Sequence, residues 1–283
     1  MFTFIRLIKA RNSHFLAVGL IAMQYYHNKT ILVTGASSGI GIAFCRQVAS
    51  YGADLVITAR RKDRLDALAK ELRSQYDCEV SVIPADLSDP DGPASLIREV
   101  EKKNHHIDVL VNNAGFGYNG AFIDGDFEMY QHMMQVNVHS LILLTRLLVP
   151  GMVGRGQGGV LNVASMAGFL PVPYFSVYSA TKQFVINFSW SLWKELEDTG
   201  VHISSLCPGP VNTQFFDVAG ADIRKAAFRG LQSPEAVALK GLTGLAENIP
   251  MKFSRSLLRI SYLLSKWVPV RVGMLIGGMV MRK

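Results

Sequence analysis

A chain of 283 residues, 49% of them apolar, can bury a large core, which excludes a disordered tail and a small disulfide-stapled scaffold. Its three cysteines, Cys45, Cys78 and Cys207, form neither an even framework nor a metal-ligand spacing. No metal site is therefore expected, and a reducing cytoplasm is the default compartment.

The net charge of +7 is unevenly placed: no Asp or Glu precedes Asp54 or follows Glu247, and residues 252–283 hold seven cations. Basic ends point to an anionic surface as partner. No basic–aromatic stripe or nucleic-acid motif accompanies them, so a nucleic-acid partner is not expected. Near the start, Arg6, Lys9 and Arg11 precede an apolar run, Phe15 to Met23. The run is too short to span a bilayer and no small-x-small cleavage site follows it. It reads as an extension lying on a surface, a disordered leader, or a segment that is not translated if synthesis starts at Met23.

From residue 30 onward, short apolar runs alternate with amphipathic stretches. Thr30–Thr34 predicts a buried strand ending at a glycine turn, and 40–51 a helix closed by Gly52. Residues 55–59 predict a second strand. Residues 62–76 predict a helix with Leu65, Leu68, Ala69 and Leu72 on one face. Strands at 80–84, Val109–Asn112, 160–163 and 201–206 alternate with helices at 94–103, 127–148 and 177–197. His105-His106 read as a polar turn, and Gly154–Gly159 as a tight turn into the fifth strand. Alternation of this kind predicts one α/β unit, a single doubly wound Rossmann-type domain with a mainly parallel sheet covered on both faces. The boundaries are a 1–27 extension, a 28–250 catalytic domain and a basic amphipathic extension over 251–283.

Gly35, Gly39 and Gly41 fall between the first strand and helix, with Ser37, Ser38 and Ile40 among them. Glycines there allow a pyrophosphate to approach a helix N-terminus. The second strand ends at Ala59-Arg60-Arg61, with no acid to hold a ribose hydroxyl. Arg60 suits a 2′-phosphate and favours NADP(H) over NAD(H); the other reading is two solvated arginines at a helix start. Asp86, followed by Leu87, is placed either to face an adenine edge or to cap the next helix. Tyr178 and Lys182 stand one helical turn apart, with Ser165 thirteen residues before the tyrosine. An ammonium beside a phenol favours the phenolate and makes tyrosine a usable acid or base.

Taken in order, Thr34-Gly35-Ala36-Ser37-Ser38-Gly39-Ile40-Gly41, Asn112-Asn113-Ala114-Gly115, Asn137, Ser165, Tyr178, Lys182 and Pro208-Gly209 resemble the short-chain dehydrogenase/reductase family over residues 28–240. The resemblance implies cofactor contacts from the glycine motif, from Asn112, Ala114 and Gly115, and from Thr213 at the nicotinamide end. It implies a catalytic tetrad of Asn137, Ser165, Tyr178 and Lys182. Tyr178 would donate a proton to the developing alkoxide as hydride reaches a carbonyl carbon, with Ser165 on the same oxygen. Lys182 would lower the tyrosine pKa, and Asn137 would hold a water linking Lys182 to solvent. The family is commonly dimeric or tetrameric. Ser37-Ser38 departs from NADP-dependent members that carry a basic residue in the glycine motif, so the NADP case rests on Arg60.

Residues 166–175 and Gln214-Phe215-Phe216 lie beyond strand carboxyl ends and are apolar and aromatic. They suit an apolar ketone or aldehyde, or else the packing of a lid or subunit interface. Past residue 251, Leu257, Leu258, Ile260, Leu263 and Leu264 alternate with Arg255, Arg259 and Lys266 ahead of Trp267, as in a basic amphipathic helix. Val268 to Met281 is apolar but interrupted by Pro269, Gly273, Gly277 and Gly278. Three readings stand for this end: a cover over the substrate pocket, a peripheral membrane contact, and a subunit contact.

Overall fold

The computed structural model describes residues 20–222 and 230–282. The basic run at Arg6, Lys9 and Arg11 and the terminal Lys283 lie outside the described residues. Seven strands, β1 (Thr30–Thr34), β2 (Asp54–Thr58), β3 (Val80–Val82), β4 (Val109–Asn112), β5 (Gly158–Val163), β6 (Val201–Cys207) and β7 (Met251–Phe253), form one sheet. Their order is β3-β2-β1-β4-β5-β6-β7 and every pairing is parallel. The central strands are buried along nearly their whole length, which is why they read as continuous apolar runs.

Helices α1 (Gly39–Ala49), α2 (Lys62–Gln75) and α8 (Pro234–Ala246) cover one face, packing Phe44, Leu65, Leu72 and Leu242 on Ile31, Val33 and Leu161. Helices α3 (Gly92–Lys102), α5 (Ser140–Gly154) and α6 (Ser176–Glu195) cover the other, with Leu96, Leu144 and Met152 on Leu32, Leu110 and Val160. Between α3 and α6 the chain also makes α4 (Phe127–Met134) and a π-helical turn, Gln135–His139. The run Phe127–Gly154 is the one helix among the described residues long and apolar enough to cross a membrane, and it is packed on this sheet. Short α7 (Phe215–Ala219) follows β6, and α9 (Ser256–Ser265) and α10 (Val270–Met281) follow β7.

Predicted elements recur with ends shifted by a few residues, and the single helix predicted over 127–148 is interrupted by the π turn. Five elements carried no sequence expectation: the helix over residues 20–26, α7, α8, β7, which is three residues long, and α10. Pro269 flanks the start of α10 rather than breaking it, and Gly156 at φ 66° makes the turn into β5.

Part of the expected 1–27 extension instead belongs to the domain: residues 20–26 are helical and seat Ala22 and Tyr26 fully in the core, because their apolar side chains pack on α8 and the sheet. The Tyr26 hydroxyl donates to the Leu242 carbonyl (2.9 Å), and that of Tyr25 to Gly158 (2.8 Å). Removing a buried aromatic ring leaves a cavity, so Tyr26→Ala should cost about 3–5 kcal/mol. A lower urea midpoint at unchanged slope would report it.

Candidate active site

The carboxyl ends of the parallel strands all open on one edge, and the candidate residues gather there. After β1 the backbone enters the left-handed region at Gly35 (φ 65°) and again at Gly39 (φ 55°). A Cβ on Gly41 would stand 2.2 Å from the Gly35 carbonyl oxygen, and one on Gly35 2.9 Å from Ala114 Cα, so the loop closes only as glycine. The α1 N-terminus behind it has no acidic residue in its first turn, and the Ser38 side chain makes no capping bond. A helix start without a side-chain cap or an acidic first turn is one where an anion is favoured. Thr213 packs against Gly39: its Cγ2 would be 3.0 Å from a Cβ there.

Two residues missed from sequence hold this loop. Asn113 donates through Nδ2 to the carbonyls of Thr34 (2.9 Å) and Gly35 (3.3 Å). Thr34 Oγ1 accepts from the N–H groups of Asn113 and Ala114 (both 3.0 Å). Asn112, assigned to the cofactor by resemblance, instead turns its amide into the sheet, donating to Asn162 Oδ1 (2.9 Å) and Thr145 Oγ1 (3.2 Å). Asn112 is the last residue of β4 and stays in the sheet, whereas at Asn113 the chain has left the strand and turns, its N–H donating back to the Val111 carbonyl (3.0 Å), so only Asn113 reaches the loop.

At the end of β2, Arg60 and Arg61 are both exposed. Arg61 Nη2 donates to Ser37 Oγ (3.3 Å), tying a second arginine to the glycine loop. The adjacency Arg60-Arg61 was visible in the sequence; which of them turns toward Ser37 was not. Asp86 Oδ1 accepts from Ser88 N (2.9 Å) and Ser88 Oγ (2.6 Å), the turn-forming arrangement. Partial burial raises its pKa, but the Ser88 bonds and the charges of Arg60 and His132 outweigh this and hold it below the usual carboxylate value. Leu87 is buried, and its carbonyl accepts from Ser140 Oγ (2.7 Å). The Pro208 carbonyl accepts from Met166 N (2.9 Å), and Gly209 N donates to Ser254 Oγ (3.2 Å). A glycine cradle at an uncapped helix N-terminus, with two arginines at the end of β2, fits a dinucleotide carrying phosphate groups.

Ser165, Tyr178, Lys182 and Asn137 come together at the other end of the cleft. The Tyr178 phenol is buried, and its ring lies 4.4 Å from that of Phe175 and 5.3 Å from that of Phe215. Burial pushes its pKa up, opposed by a hydrogen bond with Ser165. Lys182 Nζ donates to the Val163 carbonyl (2.8 Å) and lies 5.7 Å from the Tyr178 ring centroid. Burial lowers the amine to about 8, with a small opposing effect from Cys207. The sequence suggested that Lys182 draws the phenol toward its anion. Desolvation governs both groups here and drives each toward its neutral form.

Asn137 sits on the π turn, a rare distortion that re-aims its side chain. Oδ1 accepts from Phe116 N (3.1 Å), and Nδ2 donates to the Phe116 carbonyl (3.0 Å) and to Thr181 Oγ1 (3.1 Å). A Cβ on Gly115 would stand 3.0 Å from Asn137 Oδ1 and 3.3 Å from Lys182 Nζ, so this glycine leaves room for both side chains. His139 is turned outward against Gln135. Around Tyr178 the wall is apolar and aromatic: Phe116, Tyr118, Met133, Phe175, Phe215 and Met281.

A doubly wound parallel sheet with this cleft defines an oxidoreductase of the nicotinamide-dependent class. The short chain dehydrogenase family model matches residues 29–223, and the chain belongs to that family. An uncharacterized oxidoreductase of Staphylococcus saprophyticus is 32% identical over 230 residues, 78% of this chain and 98% of that protein. The human very-long-chain 3-oxoacyl-CoA reductase is 35% identical over 205 residues, 69% of this chain but only 61% of that protein. Among solved structures, a Sphingobium yanoikuyae short-chain dehydrogenase in complex with NADPH superposes with a TM-score of 0.77 at 31% identity, covering 87% of this chain and 94% of its own. A Burkholderia phymatum member in complex with NAD shares the fold at 24% identity and a TM-score of 0.79, covering 88% of this chain and 96% of its own.

Lys182 offers a test of the burial argument independent of activity. Its folded pKa of about 8 lies below the ordinary lysine value, so the unfolded chain binds the extra proton more readily. The Lys182 contribution to stability should therefore rise with pH between about 8 and 10.4, by roughly 3 kcal/mol, against the opposite trend of the buried thiols and phenols, whose pKa values are raised. Lys182→Met should lack this rise when urea unfolding of the two proteins is compared across that range.

Proposed function

We propose that the chain is an NADP(H)-dependent reductase interconverting an apolar ketone or aldehyde and its alcohol. The observation that carries this reading is the Tyr178 phenol, kept protonated by burial, beside a Ser165 hydroxyl that opposes the shift, and packed among aromatic side chains. A protonated phenol in an apolar chamber can deliver its proton to an oxygen gaining negative charge. Ser165 holds the same oxygen in line, and hydrogen bonds there strengthen as charge develops. Lys182, fixed by Val163, supplies positive charge behind the phenol below pH 8 and stabilises the phenolate left after transfer. Asn137, through Phe116 and Thr181, fixes the loop and helix that carry these groups. The hydride exchanged at the carbonyl carbon would be supplied by the nicotinamide cofactor when bound.

The chemistry is assigned to the 28–250 unit and an accessory role to 251–283. Cofactor contacts are assigned to Gly35, Ser37, Ser38, Gly39, Ile40, Gly41, Arg60, Ala114, Gly115, Pro208, Gly209 and Thr213, with Arg61 added for its bond to Ser37. Asp86 and Leu87 border the adenine side. Exposed Met134, Leu147, Phe184 and Trp190 suit a homodimer or homotetramer. Buried, unpaired Cys45 and Cys207 fit a reducing compartment. The similarity to a very-long-chain 3-oxoacyl-CoA reductase supports a second, narrower reading in which the carbonyl is borne on a fatty-acyl chain.

Tyr178→Phe tests the reaction. NADPH-dependent turnover across a series of ketones and aldehydes should vanish while NADPH still quenches and binds; retention of a tenth of kcat would sink the assignment. Arg60→Ala and Arg61→Ala test the cofactor. Each should weaken NADPH by about ten- to a hundredfold, the loss of roughly 1.5–3 kcal/mol of charge-assisted bonding, and leave NADH nearly unchanged. Equal losses for both cofactors in fluorescence titration would count against a 2′-phosphate contact.

A further inference from the structure

The C-terminal helix α10 has two faces of opposite character. Gly273, Gly277 and Met281 recur at four-residue spacing on its inner side. A Cβ on Gly273 would come within 2.6 Å of Leu170 Cδ1, and one on Gly277 within 3.6 Å of Val172 Cγ1. Met281 is 9% exposed and joins Tyr178, Phe175 and Met133 in one cluster. This helix thus packs on the apolar cluster that encloses the phenol. Ahead of it, α9 buries Leu258 against the Gly209 loop and packs Tyr262 edge-on against Phe169 and tilted against Phe253.

The outer side carries Arg271, Leu275 and Met279 at the same spacing, with Leu275 67% and Met279 71% exposed. On α9 and its end, Arg259, Leu263, Lys266 and Trp267 continue an outward stripe in which Trp267 is 87% exposed. No Asp or Glu occurs after Glu247. Large exposed apolar side chains interleaved with cations and free of carboxylates complement an anionic lipid surface.

We propose that α9 and α10 seat the protein on an anionic bilayer, and that apolar substrates enter the Tyr178 chamber from the lipid beside α10. The seat stands on the two-faced helix; the entry route rests on the reductase reading above. In this arrangement one helix touches lipid with Leu275 and Met279 and the chamber with Met281. Substrate would then pass from bilayer to phenol without crossing water.

The test uses the full chain and a Trp267→Glu/Leu275→Glu double variant, both changed positions being exposed and outside the chamber. Vesicles of phosphatidylcholine alone, or mixed equally with phosphatidylserine, are sedimented with each protein at low and high salt. The wild type should sediment with the mixed vesicles at low salt only. Each introduced carboxylate should weaken binding at least about fivefold, the equivalent of about 1 kcal/mol per charge near such a surface. Equal sedimentation of both proteins, absence of binding, or binding indifferent to lipid charge would overturn the seat. A change of oligomeric state in the variant without vesicle binding by the wild type would give the face to a second copy of the chain.

Turnover then separates the entry route from the reaction. On a short water-soluble ketone without vesicles, the variant should match the wild type. On a long-chain ketone carried in mixed vesicles, the wild type should show a KM lower by about tenfold than the variant. Bound wild type with no such advantage would overturn the entry route. Loss of turnover on every carbonyl by the wild type would overturn the reductase reading and leave the sedimentation result to decide the seat.

Discussion

Parallel strand direction is the constraint on which everything else in this molecule depends. Because all seven strands run the same way, each delivers the residues that follow it to a single edge. Gly35 arrives after β1, Arg60 and Arg61 after β2, Asp86 after β3, Ala114 and Gly115 after β4, Ser165 after β5 and Pro208 after β6. These segments are scattered over more than half the chain. An antiparallel arrangement would send half of them to the opposite edge. Parallel pairing also requires crossover helices, and one of these, α6, carries Tyr178 and Lys182 back to the same edge at its first turns.

Desolvation sets the character of the assembled groups. A buried phenol and a buried amine one turn apart each lose hydration, and each shifts toward its uncharged state. Bonds from neighbouring elements keep this arrangement in place: Val163 accepts from Lys182, and Asn137 clamps Phe116 and Thr181. Beneath them, a fully buried amide chain links Asn112 to Asn162 and Asn162 to Ser189. Polar groups this deep rigidify a structure only when they are satisfied, and these are. The sheet interior therefore carries its own polar network under the cleft, independent of any ligand.

Elements whose signal is local were legible in the sequence. Apolar runs of four to six residues between turns marked β1, β2, β4, β5 and β6, and the glycine and Tyr-Lys spacings marked the two ends of the cleft. What escaped depends on contacts far away in the chain. β7 has three residues and exists because the end of β6 offers it a partner edge. Asn112 and Asn113 are indistinguishable in a run of letters, and only the end of β4 decides that Asn113 holds the loop while Asn112 supports the sheet. The π turn at Gln135–His139 leaves no mark in composition, yet it aims Asn137. Arg60 is the residue the sequence singles out for the phosphate; the bond to Ser37 that marks Arg61 depends on a residue 24 positions away.

The glycines of α10 show how a sequence feature can carry the opposite meaning once packing is known. Gly in a helix interior costs about 1 kcal/mol relative to Ala, so three of them argue against a helix when only the chain is in view. In the folded protein, two of the three face Leu170 and Val172, and the third faces Pro173. Absence of a side chain brings the α10 backbone down onto that segment, which leads directly into Phe175 and Tyr178. The contact offsets the low propensity, so α10 is helical because it is docked. A helix that owes its order to docking couples its own stability to the segment before the phenol.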